Sequence, residues 1–177
     1  MNVDTDRLHL RYFNKHDAED LFEYLSQDKV IKYEPYNVYS KQEAYEEVVN
    51  RSNDSSFIAV CLLEKNKVIG NLYLSMTNPQ KVNTYQIGFV FNENFQGFGY
   101  ASEAVRALLD NLFTKYDAHR VIAMCNTKNI KSWRLLEKLG FRREATRVKN
   151  MYLKKDDDGS PIWFNSYQYA LLKEEWF

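Results

Sequence analysis

Positions 101 to 113 constrain the fold of this chain more than any other stretch. Ala101, Ala104, Val105, Leu108, Leu109, Leu112 and Phe113 recur there at the i, i+3, i+4, i+7 spacing of an amphipathic helix. The glycine-bearing segment Gln96-Gly97-Phe98-Gly99-Tyr100-Ala101-Ser102 leads into it from a strand-like run, Tyr85 to Phe91. A helix with one wide apolar stripe has to bury it against another layer, and strand, tight turn and helix in succession point to a sheet.

Further strand signals supply that sheet. Arg7 to Phe13 alternates Leu8, Leu10 and Tyr12 on one side, and Phe57 to Glu64 and Val68 to Met76 flank the turn Lys65-Asn66-Lys67 as a hairpin. Arg120 to Cys125, Phe141 to Leu153 and Trp163 to Leu172 read as strands, the last two joined by Asp156-Asp157-Asp158-Gly159. Helical spacing places Ala18, Leu21, Phe22 and Leu25 on one helix; Ser40 with Glu43 forms a capping box for another through Arg51; Ile130 to Leu139 is a third, ended by Gly140. The expectation is an α/β fold: a single mixed, mostly antiparallel twisted sheet of about six to seven strands with helices on both faces. Over 177 residues, 45% hydrophobic and 27% charged, this makes one domain, residues 1–177.

Charge excludes several partners. Lys plus Arg and Asp plus Glu both count 24, so no positive field draws the chain to nucleic acid or anionic lipid. Met1-Asn2-Val3-Asp4 lacks a basic stretch followed by an apolar core, and no apolar run nears the ~20 residues that span a bilayer, which predicts a cytoplasmic protein without membrane contact. Cys61 and Cys125 are too few for a disulfide framework, and His9, His16 and His119 lack ligand spacing, so no metal is expected.

The segment Gln96 to Ser102 carries the chemistry. Its glycines permit close backbone approach, and the free N–H groups of a helix start attract anions, a geometry that cradles phosphate. The same glycines would also serve a plain tight turn. The segment lacks the Gly-Lys-Ser/Thr ending of a P-loop and the third glycine of a dinucleotide fingerprint, so ATP and NAD are disfavoured.

In Gln96, Gly99 and Ala101 the segment resembles the Q/R-x-x-G-x-G/A signature of the GCN5-related N-acetyltransferase (GNAT) superfamily. Asp6-Arg7-Leu8-His9-Leu10-Arg11, Asn129 with Ser132, Lys138-Leu139-Gly140-Phe141 and the tail Tyr169 to Trp176 resemble its ribosomal-protein N-terminal acetyltransferase (RimJ/RimL)-like branch. The resemblance implies transfer of an acetyl group from acetyl-CoA to a primary amine, either a protein α-amine or a small molecule. It implies CoA held where the parallel strands Tyr85 to Phe91 and Arg120 to Cys125 splay, with the pyrophosphate on Gln96, Gly97, Phe98, Gly99, Tyr100, Ala101 and Ser102. A bulge around Phe89, Val90 and Phe91 would offer an N–H to the thioester oxygen. Dimers are common among such proteins, so a homodimer fits the resemblance.

Catalytic roles follow less directly. The acceptor amine must lose a proton, and where relatives often carry Glu this chain has Gln86, which cannot act as base. Glu34, in the aromatic loop Tyr33-Glu34-Pro35-Tyr36, Glu103 or a water chain is left to do so; Glu34 also reads as a solvated loop carboxylate and Glu103 as a charge favouring its helix start. Leu136 stands where many members place the tyrosine that protonates the leaving thiolate. Ser132, one helical turn earlier, is the substitute candidate, with Asn129 holding the pantetheine or orienting Ser132; Ser132 could equally bond its own backbone. Direct attack in a ternary complex is expected rather than a cysteine intermediate. Gln86 and Leu136 keep open a CoA-binding sensor without transfer, and a drug-modifying enzyme would need a more acidic acceptor pocket.

Overall fold

Strand side chains alternate between two apolar layers. Ile58 and Val60 join a cluster containing Leu8, Leu10, Ile87 and the helical Val105, Leu108 and Leu112, whereas Ala59 and Cys61 face a second cluster with Leu21, Leu25, Ile31 and Val48. This period of two is what a sheet covered on both faces requires. The computed structural model describes residues 1–177. In chain order these form β1 (Asn2–Asp4), β2 (Leu8–Tyr12), α1 (Ala18–Leu25), α2 (Asp28–Ile31), α3 (Lys41–Ser52), β3 (Phe57–Leu62), β4 (Val68–Met76), β5 (Thr84–Phe91), α4 (Tyr100–Thr114), β6 (Arg120–Asn126), α5 (Ile130–Lys138), β7 (Arg142–Lys155), β8 (Pro161–Leu172) and α6 (Lys173–Trp176).

The sheet has eight strands in the order β1-β2-β3-β4-β5-β6-β8-β7. Only β5 and β6 run parallel; every other pair is antiparallel. One strand beyond the expected range is β1, a short edge strand pairing Val3 with Leu10, whose length gave no periodicity to read. α4 lies on one face with Leu136 of α5, and α1 and α3 cover the other.

Local signals account for the helix ends. Ser40 accepts from the Glu43 amide while the Glu43 carboxylate accepts from the Ser40 amide, the reciprocal cap read from sequence. Gly140, at φ +88°, ends α5 in the left-handed region that glycine tolerates. The short α6 went unread; it packs Trp176 near Phe113, and the indole N–H donates to Asp110 at 2.7 Å.

The sheet's irregularity lies on β4. The register steps from Val60↔Gly70 to Cys61↔Val68, leaving Ile69 as an extra residue, while β4 and β5 stay in register from Gly70↔Phe91 to Met76↔Tyr85. The expected bulge around Phe89, Val90 and Phe91 is therefore corrected: β5 is regular and its neighbour carries the bulge. Gly70 is what lets the two backbones close, since a Cβ there would lie 2.5 Å from the Val90 carbonyl oxygen. Gly70→Ala should destabilise the protein by about 1–3 kcal/mol, roughly 3–10 °C in Tm. Thermal denaturation checks this, and an unchanged Tm would show that β5 gives way freely.

Candidate active site

The parallel pair β5 and β6 is short. Pairing runs from Thr84↔Arg120 to Ile87↔Ala123 and stops, yet β5 continues alongside β4 to Phe91 and β6 alongside β8 to Asn126. The strands separate beyond Ile87 because each stays with its outer neighbour.

Two bonds fix which backbone groups face the gap. The Thr77 N–H donates to the Thr84 carbonyl at 2.8 Å and the Asn92 N–H to the Ile69 carbonyl at 2.9 Å, so even-numbered residues of β5 bond β4 and odd-numbered ones face β6. Phe89 and Phe91 thus turn their backbone groups into the gap. On β6, the Thr127 N–H donates to the Asn165 carbonyl, so odd-numbered residues bond β8 and Met124 and Asn126 face the gap. Gln96 fills one position, donating from Nε2 to the Phe91 carbonyl at 2.9 Å. Val90 is turned away, with its side chain in the core under α1 and its backbone toward Asn71, which removes it from the expected CoA contacts.

The gap forms a cavity of 160 Å³ lined by Tyr33 and Glu34, by Ile87, Gly88 and Phe89, by Met124, Cys125 and Asn126, and by Asn129, Ser132 and Leu136. It brings together the sequence candidates Glu34, Phe89, Asn129 and Ser132. Gly88 keeps the wall open, since a Cβ there would meet no atom closer than 3.6 Å and would take up cleft space instead. Gln86 does not line the cavity: it pairs with Ile122 before the strands part.

Glu34 is half-buried, not a solvated loop carboxylate. Burial pushes its carboxyl up to about 7, and the nearby Arg51 guanidinium only partly opposes this. Arg51 is itself enclosed, donating to Glu47 at 2.7 Å and to Asn71 at 3.0 Å, with the Phe57 ring 4.5 Å from its guanidinium carbon. The loop bearing Glu34 is tied across the cleft mouth by Tyr33, whose hydroxyl donates to the Lys128 carbonyl at 3.1 Å.

Asn129 caps α5, its side-chain oxygen accepting from the Ser132 amide at 3.3 Å. The Ser132 hydroxyl donates to no carbonyl of its own helix and faces the cavity, so the back-bonded alternative does not hold. Leu136, fully buried, closes the inner wall where it cannot donate a proton. Cys125 lines the cavity; burial pushes it up to about 11, against the effect of Ser132, so it stays a neutral thiol near pH 7 and a poor nucleophile.

At the outer end, Gly97 (φ +86°) and Gly99 (φ +85°) turn the chain into α4. The first helical bond is from the Glu103 amide to the Gly99 carbonyl at 3.0 Å, and the N–H groups of Gly97, Phe98, Gly99, Tyr100, Ala101 and Ser102 donate to no protein acceptor. Consecutive free amides at the positive end of a 15-residue helix suit a dianion. Lys131 of α5 reaches this turn, donating to Gln96 Oε1 at 2.8 Å.

Glu103 is not available as a base. It accepts from the Thr5 hydroxyl at 2.6 Å, the Arg7 amide at 3.1 Å and Arg7 Nε at 2.8 Å; burial pushes its carboxyl up, but these bonds outweigh burial and hold it below the usual carboxylate range. Sequence reading singled out neither Tyr33 nor the link from Arg7 to Glu103, because both join segments more than 90 positions apart.

No helix of the structure is long and apolar enough to cross a membrane. Residues 7–142 match the family model of the acetyltransferase (GNAT) domain. The chain is 36% identical to the uncharacterized N-acetyltransferase YnaD of Bacillus subtilis (strain 168), covering 99% of each. It superposes on an acetyltransferase of the GNAT family from Bacillus anthracis with a TM-score of 0.88 at 34% identity, covering 99% of this chain and 100% of the other. The fold also matches spermidine N-acetyltransferase from Vibrio cholerae, solved with CoA and spermine, with a TM-score of 0.78 at 18% identity over 97% of this chain and 99% of that one. The splayed strands, the amide-rich turn and these likenesses lead to one assignment: the chain is an acetyltransferase of the GNAT family.

Proposed function

We propose that this enzyme moves an acetyl group from acetyl-CoA to a primary amine by direct attack, with Glu34 as general base. The observation that carries this is a half-buried carboxyl at about 7 in the wall of the cleft between β5 and β6. The fit to CoA rests on two features. The free amides from Gly97 to Ser102 would hold the pyrophosphate, and the inward backbone groups of Met124, Asn126 and Phe89 would bond the pantetheine amides and the thioester.

Proton transfers then have owners on this chain. As the amine nitrogen bonds the acetyl carbon, Glu34 accepts its proton, directly or through one water. The Phe89 N–H faces the negative charge that builds on the carbonyl oxygen, and Ser132 supplies a hydrogen bond to sulfur as the carbon–sulfur bond breaks. The neutral Cys125 thiol takes no acetyl group.

A base that ionises near pH 7 suits an α-amine, whose pKa of about 7.7–8.0 lies much closer than the ~10.4 of a lysine amine. A protein or peptide N-terminus is thus the favoured acceptor. A second reading, a small polycationic amine, is favoured by a groove beside the same loop, where Tyr36 and Tyr39 meet Glu43, Glu46 and Glu47. Measuring CoA-thiol release with acetyl-CoA against free-N-terminus peptides, polyamines, amino acids and aminoglycosides decides between them, and no release with any amine would sink the function.

With the acceptor in hand, turnover should rise as pH passes through about 7, where Glu34 loses its proton. Glu34→Gln should remove that limb and lower turnover by about 10²–10⁴-fold. The sign for stability is opposite: a carboxyl whose folded pKa is raised stabilises the fold when protonated, and that contribution fades between the ordinary 4.5 and about 7. Glu34→Gln should therefore raise Tm relative to the native protein at pH 8 and little at pH 4. A native rate flat from pH 6 to 8 would argue against Glu34 as base.

Ser132→Ala should lower turnover by roughly ten- to a thousandfold, about 1.4 to 4 kcal/mol, with acetyl-CoA affinity nearly unchanged, because its bond to sulfur strengthens only in the transition state. Full turnover would pass the role to water. Gly99→Val should weaken CoA binding in a folded protein, since φ +85° is closed to a β-branched residue and the turn would have to reshape. Calorimetric titration with CoA reads this directly.

A further inference from the structure

We propose that Arg7 is a positioning residue for the pyrophosphate turn, pinning its backbone and cancelling the one carboxylate at the start of α4; this rests on the CoA reading given above. Arg7 lies in the turn between β1 and β2, far along the chain from the glycine segment. Its guanidinium makes three kinds of contact there. Nη1 donates to the Phe98 carbonyl at 3.1 Å, Nε donates to Glu103 Oε2 at 2.8 Å with Nη2 2.6 Å from the same oxygen, and the guanidinium carbon lies 4.6 Å from the centre of the Tyr100 ring. Nη2 is also 3.5 Å from where a Cβ on Gly99 would be.

The Phe98 bond matters because Phe98 sits between the two positive-φ glycines. Phe98 is otherwise exposed, at 62% of its surface. Fixing its carbonyl fixes the peptide plane it shares with the Gly99 N–H, and so the direction of that free amide. Two floppy glycines would otherwise lose conformational entropy each time the anion bound.

Electrostatics give the second half. Glu103 occupies the first turn of α4, among the amides that would receive a dianion. Its charge favours the helix start when no ligand is present and opposes an anionic ligand. Arg7 sets a positive charge against it through paired, charge-assisted bonds, leaving the turn attractive to phosphate. The Thr5 hydroxyl and the Arg7 amide hold the carboxylate in place from the other side.

The test uses the full chain and two probes, CoA by calorimetry and the phosphate-free pantetheine by NMR titration. Arg7→Gln should weaken CoA about tenfold or more, because it leaves the Glu103 charge uncompensated beside the phosphate site, while changing pantetheine affinity less than about twofold. Arg7→Gln combined with Glu103→Gln should recover part of the lost CoA affinity by removing the opposing charge. If Arg7→Gln does not fold, Arg7→Lys, which keeps the charge but lacks the fork that reaches Phe98, should show a smaller loss with the same selectivity for CoA. CoA affinity within twofold of native, an equal loss for both probes, or no recovery in the double variant would each overturn the proposal. Failure of the native protein to bind CoA would instead remove the functional reading beneath it.

Discussion

The structure depends on a parallel pair that cannot continue. β5 is tied on one side by β4 and β6 by β8, both antiparallel and both longer than the contact between the two. Past Ile87 and Ala123 the outer pairings win, and two inner strand edges are left with backbone donors and acceptors facing a gap. Such groups are costly to strand in a dry interior and want partners. A ligand carrying amides along a narrow arm is one chemical answer, so the cleft follows from sheet topology before any side chain is considered.

How much of this could be read beforehand differs with the range of the interactions involved. The capping box at Ser40 and Glu43, the apolar stripe of α4 and the glycine stop at Gly140 are all set by residues within a few positions of one another, and they were legible. The two-residue period of β2 was legible too, although which face met which helix was not. β1 and α6 are too short to show periodicity, and α6 is held by a distant partner, Asp110. The bulge expected on β5 is absent, and the one present, on β4 at Ile69, gave no signal: the neighbouring Gly70 has no Cβ and allows β5 to approach, and a single strand's sequence does not reveal the spacing to its neighbour.

The site shows the same division. Gln96 to Ser102 and Asn129 with Ser132 could be picked out as candidates because each set is short in sequence and lies at the start of a helix. Glu34 was visible as a residue but not as an environment. Its sequence neighbours Tyr33, Pro35 and Tyr36 are compatible with an exposed loop, and only the packing of that loop over the cleft removes it from water. Glu103 failed as a base for the converse reason, since Thr5 and Arg7 reach it from the opposite end of the chain.

In the proposed mechanism these two glutamates, one raised and one lowered, would divide the labour of the cleft. A carboxylate that is to take a proton from an amine near neutrality needs a poor environment for charge, and Glu34 has burial with no hydrogen bond to compensate. A carboxylate beside a phosphate site needs the reverse, a fixed charge held by donors so that it neither wanders toward the ligand nor goes unbalanced; Glu103 has three such donors. Exchanging their surroundings would leave the base permanently ionised and weakly basic, and the anion site facing a free negative charge. Gln86 lies where β5 and β6 are still paired and is not part of the cavity wall, whereas the loop carrying Glu34 delivers a carboxylate to the open part.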